Sequence, residues 1–157
     1  MKLQNRDLFP EIEVTTIDHG TLSLPGFLHG QYGVVLFYRG AWCPYCNAQL
    51  AAFVRASDQL EEVGVRVVAL SVDDAETSRA TAEKRRILFP LGHSADAGAL
   101  AGLTGAYLGG GGSYLESTGF LLDPEGRIVT SVYSSNAIGR LLPEDVVGFI
   151  KHMQEAG

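Results

Sequence analysis

The sequence predicts an α/β sandwich: a central mixed β-sheet with helices on both faces and an N-terminal β-hairpin. Three observations lead there. Apolar runs of strand length alternate with longer segments of helical periodicity, the pattern that places crossover helices between parallel strands. Residues 33–38, GVVLFY, form a continuous apolar run, as expected of a strand covered on both faces. Near the C-terminus, GFLLDPEGRIVTSVY folds back through Asp123, Pro124, Glu125 and Gly126, which adds an antiparallel edge to a sheet that is parallel at its front.

Taken in order, residues 14–17 and 21–24 are the strands of a small hairpin, with Gly20 in its turn. The central strand at 33–38 follows. CPYCNAQLAAFVRASDQLEEVG then reads as one helix, because Leu50, Phe53, Val54 and Leu60 recur at helical spacing and Gly64 is a natural stop. Residues 65–72, VRVVALSV, are the next buried strand. DDAETSRATAEKRR is a polar helix with Asp73 or Asp74 as N-cap, and Pro90 ends any regular element near it. SADAGALAGLTGAYL is a short helix of small residues. Four consecutive glycines, 109–112, hold neither helix nor strand cheaply and are expected to form a mobile loop. The closing helix, LPEDVVGFIKHM, has Pro143 in its first turn and Glu144 and Asp145 where the helix dipole favours acids.

Length and composition bound the function. A chain of 157 residues fits one domain, residues 1–157, with room for a real core. Hydrophobic residues at 46% and charged residues at 19% mark an ordinary globular chain. The net charge of −6 and the absence of a basic stripe argue against a nucleic-acid partner. No apolar run approaches the roughly 20 residues that span a bilayer. The N-terminal MKLQNRDLFPEIEV lacks the apolar core of a secretion signal, so a cytoplasmic location is expected. In that compartment a thiol pair is catalytic or metal-binding rather than structural.

Both cysteines lie in RGAWCPYCNAQL, where a strand ends and a helix begins. Cys43 falls near the N-cap, Pro44 at the first helical position and Cys46 in the first turn. Unpaired N–H groups and the positive end of the helix dipole converge there, so a thiolate is stabilised and its pKa falls below the free value of about 8.5. Arg39, four residues upstream of Cys43, adds positive charge. The two-residue spacing lets one thiol attack the other after oxidation, so a nucleophile has its resolving partner beside it. A structural zinc site needs four ligands, and His19, His29, His93 and His152 show no ligand spacing. Only a site shared across a dimer would supply the remainder. No glycine pattern fits a phosphate loop. No metal or organic cofactor is expected.

FYRGAWCPYCNAQL resembles the active-site stretch of the thioredoxin superfamily, and the wider chain resembles its peroxiredoxin-like branch, the redoxin or AhpC/TSA group. GVRVVALSVDDAETSRATAEKRRILFPL resembles the peroxiredoxin stretch with a strand ending Ser-Val-Asp, a helix, then Phe-Pro-Leu. GFLLDPEGRI resembles the Phe-x-x-Asp-x-x-Gly hairpin of both branches. The resemblance implies a thioredoxin-like fold and a thiol-dependent peroxidase that cycles a Cys43–Cys46 disulfide. It implies a peroxide substrate and a thiol electron donor, either a thioredoxin-like protein or a low-molecular-weight thiol. Two rivals stand beside it: a protein disulfide reductase, and a non-enzymatic redox-sensing module. A dimer is compatible with all of these.

Two frames compete for the nucleophile. The thioredoxin frame makes Cys43 the exposed nucleophile and Cys46 the resolving thiol. The gap-free peroxiredoxin frame puts Arg39 on the family's proline, Cys43 on its threonine, Cys46 on its peroxidatic cysteine and Gln49 on a position often Glu. The family's arginine would fall at Ser117, and Ser117-Thr118 lacks the cis-proline of a thioredoxin-type reductase. Arg39, Arg127 or Arg140 is left to supply the missing charge. The balance favours Cys43, as the more exposed thiol at the N-cap. Trp42 is expected to line the site, and Tyr45, between the cysteines, to cover the disulfide. Thr118, on the strand that should face the cysteines, completes the supporting set with Pro44 and Arg39.

Overall fold

The computed structural model describes residues 1–156. A five-stranded sheet runs in the order β5-β4-β3-β8-β9. Its strands are β3 (Tyr32–Phe37), β4 (Val65–Leu70), β5 (Leu91–Gly92), β8 (Thr118–Leu122) and β9 (Ile128–Tyr133). The pairs β3–β4 and β4–β5 are parallel, whereas β3–β8 and β8–β9 are antiparallel. Two further hairpins lie outside it: β1 (Ile12–Thr15) with β2 (Thr21–Leu24), and β6 (Leu108–Gly109) with β7 (Tyr114–Leu115).

The alternation of side chains along the central strands divides the interior into two cores. Val34 and Leu36 of β3, Val65, Val67 and Ala69 of β4 and Leu121 of β8 face one side. There they meet helices α1 (Pro44–Arg55), α2 (Ser57–Glu62), α3 (Ala75–Arg85) and α5 (Pro143–Ala156), through Leu50, Phe53, Leu60, Ala82, Val146 and Ile150. Val35, Phe37, Val68, Leu70, Phe120 and Leu122 face the other side. They are covered by the N-terminal hairpin and by α4 (Ala97–Thr104). The predicted mixed sheet, helices on both faces and N-terminal hairpin are all present. Among the described residues no helix is long and apolar enough to cross a membrane.

Four details depart from the sequence reading. The helix expected after the central strand is two helices, α1 and α2, broken at Ala56. The Ser57 hydroxyl donates to the Val54 carbonyl and so competes with the helix ladder. The two-residue strand β5 was too short for its pattern to show. The first strand begins at Ile12 and ends at Thr15, two residues earlier than its hydrophobic pattern placed it. The glycine run is not a loose loop. Gly109 pairs with Tyr114 inside the β6–β7 hairpin, and Gly110–Gly112 make its tight turn at positive φ, where glycine is unstrained.

Phe120 is fully buried at the centre of the second core, edge-on to Phe9 at 5.2 Å, Phe37 at 5.7 Å and Tyr133 at 5.7 Å. Phe120→Ala should therefore cost about 3–5 kcal/mol in urea unfolding. A loss below about 1 kcal/mol would show that the hairpin layer does not pack on the sheet in this way.

Candidate active site

The site lies at the carboxyl ends of the parallel strands, where open α/β sheets place their ligands. Strand β3 ends at Phe37, and Tyr38 still donates its N–H to the Leu70 carbonyl. The chain then turns through residues 39–43 into α1. Asp73, just beyond β4, accepts the Ala41 N–H at 2.9 Å, and the Asn47 side chain donates to the Ala41 carbonyl at 2.9 Å. Gly40 is required for closeness, since a Cβ there would collide with the Trp42 indole and come within 3.2 Å of the Asp73 carboxylate. Asp74, not Asp73, is the N-cap of α3, accepting from the Thr77 N–H. Asp73 is instead a strut of the cysteine turn rather than the solvated cap its sequence position suggested, and burial pushes its pKa up.

Cys43 is the N-cap of α1 with Pro44 at the first helical position, as the sequence predicts. Its Sγ accepts the Cys46 N–H at 3.3 Å, the place an oxygen usually fills. The Cys46 Sγ accepts the Arg39 N–H at 3.3 Å. Both cysteines are reduced and both are 0% exposed, so the expectation that Cys43 is the more exposed thiol is not met. The helix start is roofed by neighbouring side chains that local sequence does not reveal.

Two guanidinium groups form part of that roof. Arg140, from the coil before α5, places Nη2 at 3.1 Å from the Cys46 Sγ and 3.7 Å from the Cys43 Sγ. It is held by donating Nη1 to the Gln49 side chain at 2.8 Å and Nε to the Ala137 carbonyl at 2.7 Å. Gln49 in turn donates to the Leu141 carbonyl at 2.8 Å. No carboxylate pairs with Arg140 among the described residues. Arg39 comes from the other side, with Nη1 at 3.8 Å from the Cys43 Sγ. Its Nε donates to Glu116 at 2.7 Å and its Nη2 to the Tyr114 hydroxyl at 3.2 Å. Arg127 does not reach the site; it donates to the Arg6 carbonyl.

These contacts split the two thiols. Burial works against both thiolates, but for Cys43 the hydrogen bonds from the Cys46 side chain and N–H and from Arg39, with the charge of Arg140, outweigh it and lower its pKa. For Cys46, burial and the bond to Cys43 prevail and raise its pKa. The contacts therefore bias the pair toward a thiolate on Cys43 and a thiol on Cys46. Burial also opposes the charge of Arg39, but its bonds to Cys43 and Tyr114 and the charge of Glu116 win, and its pKa rises.

Of the other expected residues, Trp42 (56% exposed) stands at the mouth, with its ring 4.8 Å from the Arg39 guanidinium and edge-on to Tyr114 at 5.0 Å. Tyr45 (53% exposed) points outward beside it. Thr118 is a correction: it sits opposite Phe37 and spends its hydroxyl on the Glu116 carbonyl. Glu116, Tyr114 and Asp73 escaped the sequence reading as site residues. The one available signal for the first two was the glycine run beside them. No group of three or more His, Cys, Asp or Glu side chains could hold a metal among the described residues.

A dithiol at a helix N-terminus, at the carboxyl ends of the parallel strands of such a sandwich, defines a thioredoxin-fold thiol protein. The chain belongs to the AhpC/TSA family, whose model matches residues 6–131. It is 29% identical over 154 residues to a peroxiredoxin of Treponema denticola, across 94% of this chain and 72% of the relative. It is 31% identical over 156 residues to a peroxiredoxin of Methanococcus maripaludis, across 94% and 70%. In fold it matches the peroxidoxin BcpB of Mycobacterium tuberculosis, with a TM-score of 0.81 at 20% identity over 96% of this chain and 98% of that one. It also matches AhpC of Enterococcus faecalis, with a TM-score of 0.80 at 23% identity over 98% and 93%.

Since Arg140 is the cation nearest the two sulfurs, Arg140→Gln should raise the pH midpoint of thiol alkylation by about 1 unit. Iodoacetamide rates against pH, assigned by mass spectrometry, measure this. Arg127→Gln should leave the midpoint in place, and a shift of equal size there would refute the assignment.

Proposed function

We infer that this chain is a thiol-dependent peroxidase that reduces peroxides through Cys43 and Cys46. One observation carries the reading: two thiols on a helix N-terminus, the Cys43 Sγ accepting the Cys46 N–H, face a guanidinium that no carboxylate neutralises among the described residues. Membership of the AhpC/TSA family supports it, as do the peroxiredoxin relatives.

The Cys43 thiolate attacks one peroxide oxygen. The S–O bond forms as the O–O bond breaks, and the leaving alkoxide or hydroxide takes up a proton. Negative charge grows on the oxygens during this step, and Arg140 is already in place to receive it without reorganisation. Cys46 then attacks the sulfur of the Cys43 sulfenic acid and expels water, giving the Cys43–Cys46 disulfide. Two external thiol groups return the dithiol by exchange and leave as a disulfide. A thioredoxin-like protein or a low-molecular-weight thiol in the cytoplasm would serve as donor. A second reading, with Cys46 as nucleophile, is favoured by its shorter contact with Arg140, 3.1 Å against 3.7 Å.

Stopped-flow fluorescence of Trp42 tests the reaction. Reduced protein mixed with hydrogen peroxide or an alkyl hydroperoxide should respond about 10²-fold faster than free cysteine, or more, the scale that preorganised donors supply. Cys46→Ser should stop at a sulfenic acid on Cys43, whereas Cys43→Ser should lose the fast phase. The opposite pattern would move the attack to Cys46. A rate no better than a free thiol, with rapid reduction of a protein disulfide, would make the chain a disulfide reductase.

A further inference from the structure

We propose that Glu116 and Tyr114, delivered by the β6–β7 hairpin, are positioning residues that fix Arg39 over Cys43, and that Gly109 is there to admit them. The inference rests on the reading of Cys43 as the working thiol.

Arg39 follows β3 and reaches Cys43 only sideways, at 3.8 Å. An arginine side chain has several free torsions, and holding it in one place requires fixed partners. It has three. Glu116 binds Nε at 2.7 Å in a pair that is mostly buried, the two side chains being 13% and 9% exposed. The Tyr114 hydroxyl binds Nη2 at 3.2 Å. The rings of Trp42 and Tyr114 lie 4.8 Å and 5.3 Å from the guanidinium carbon. Together they clamp a planar cation on its edge and its faces.

The hairpin that carries Tyr114 and Glu116 explains the glycine run. Gly109 has φ −120°, a conformation open to any residue, so its backbone does not call for glycine. Space does. A Cβ at 109 would overlap the Tyr114 ring and stand 2.8 Å from the Glu116 carboxylate, the two groups that hold Arg39. Gly111 differs: its Cβ would meet nothing within 4 Å.

Two charges thus face Cys43 with different accompaniment. Arg140 is bound only by neutral groups, Gln49 and a carbonyl. Arg39 carries the Glu116 carboxylate behind it. The other titratable groups around the sulfurs are Cys46 itself, Tyr114, Tyr38 and Asp73. Glu116 has two effects of opposite sign: it holds Arg39 near the sulfur and screens part of its charge.

Substitutions separate the two effects. In a Cys46→Ser background, which keeps a hydroxyl donor beside Cys43, alkylation rate against pH reads Cys43 alone. Glu116→Gln keeps an acceptor for Arg39 and removes the charge, so the midpoint should fall by about half a unit. Glu116→Ala releases Arg39, so the midpoint should rise by a similar amount. Gly109→Ala should raise it too, whereas Gly111→Ala, with strain but no clash, should not. If both Glu116 variants move the midpoint the same way, or neither moves it, the positioning role is overturned. Peroxide turnover by the same substitutions in the Cys46-containing chain tells the two readings apart. Midpoints that move as stated without peroxide turnover would sink the peroxidase alone, and intact turnover with unmoved midpoints would sink this inference alone.

Discussion

The first turn of a helix has N–H groups that the helix itself cannot satisfy, and something outside must accept them. In this protein a sulfur does so. The Cys43 Sγ takes the Cys46 N–H in the position that serine, threonine or aspartate fills in most helices. A neutral thiol is a poor acceptor, and a thiolate is a good one. The cap is thus well made only when Cys43 is ionised, so local folding and thiol activation draw on the same hydrogen bond. Everything else around the site serves that condition. Asp73 and Asn47 fix the turn that leads into the cap, and Gln49, one helical turn beyond Cys46, anchors the cation that faces both sulfurs.

The charges also explain why the site is buried yet remains reactive. Taking ions out of water is costly, and a buried pair such as Arg39–Glu116 is weak grounds for stability. Such a pair is better understood by what it holds. Arg39 is locked by a carboxylate, a phenol and two rings, whereas Arg140 is locked by amide groups alone. The first is a fixed positive edge beside one thiol. The second keeps its full charge for the sulfurs and for oxygens that become negative. Two cations with one carboxylate leave one positive charge to meet the Cys43 thiolate, inside a chain whose net charge is −6.

Much of this was legible in the sequence because the features are local. The GVVLFY run, Pro44 at the first helical position and the two-residue spacing of the thiols place the dithiol on a helix N-terminus without any tertiary knowledge. The central sheet followed from alternating runs for the same reason. What was hidden depends on contacts across the fold. Arg140 lies 94 residues from Cys46, in a coil with no periodicity, and only the fold brings it there, with α5 packed against α2 on the same side of the sheet. Asp73 and Asp74 are adjacent acids ahead of a helix, and sequence alone could not tell which caps it and which turns back to Ala41. The burial of Cys43 was missed because local rules expose an N-cap, and they say nothing about an arginine arriving from the coil before α5.

The glycine run shows how a pattern can be right in composition and misread in purpose. Four glycines weaken regular structure, which is why mobility was the natural expectation. Their common property is also small volume, and volume is what decides here. Gly110, Gly111 and Gly112 use backbone freedom to make a tight turn. Gly109, at an ordinary φ, uses only the missing side chain, and the space it leaves is occupied by Tyr114 and Glu116. A substitution there should therefore act through the site more than through stability. A hairpin that gives the core a single leucine, Leu115, can still govern a thiol, because Tyr114 and Glu116 both end on a single guanidinium.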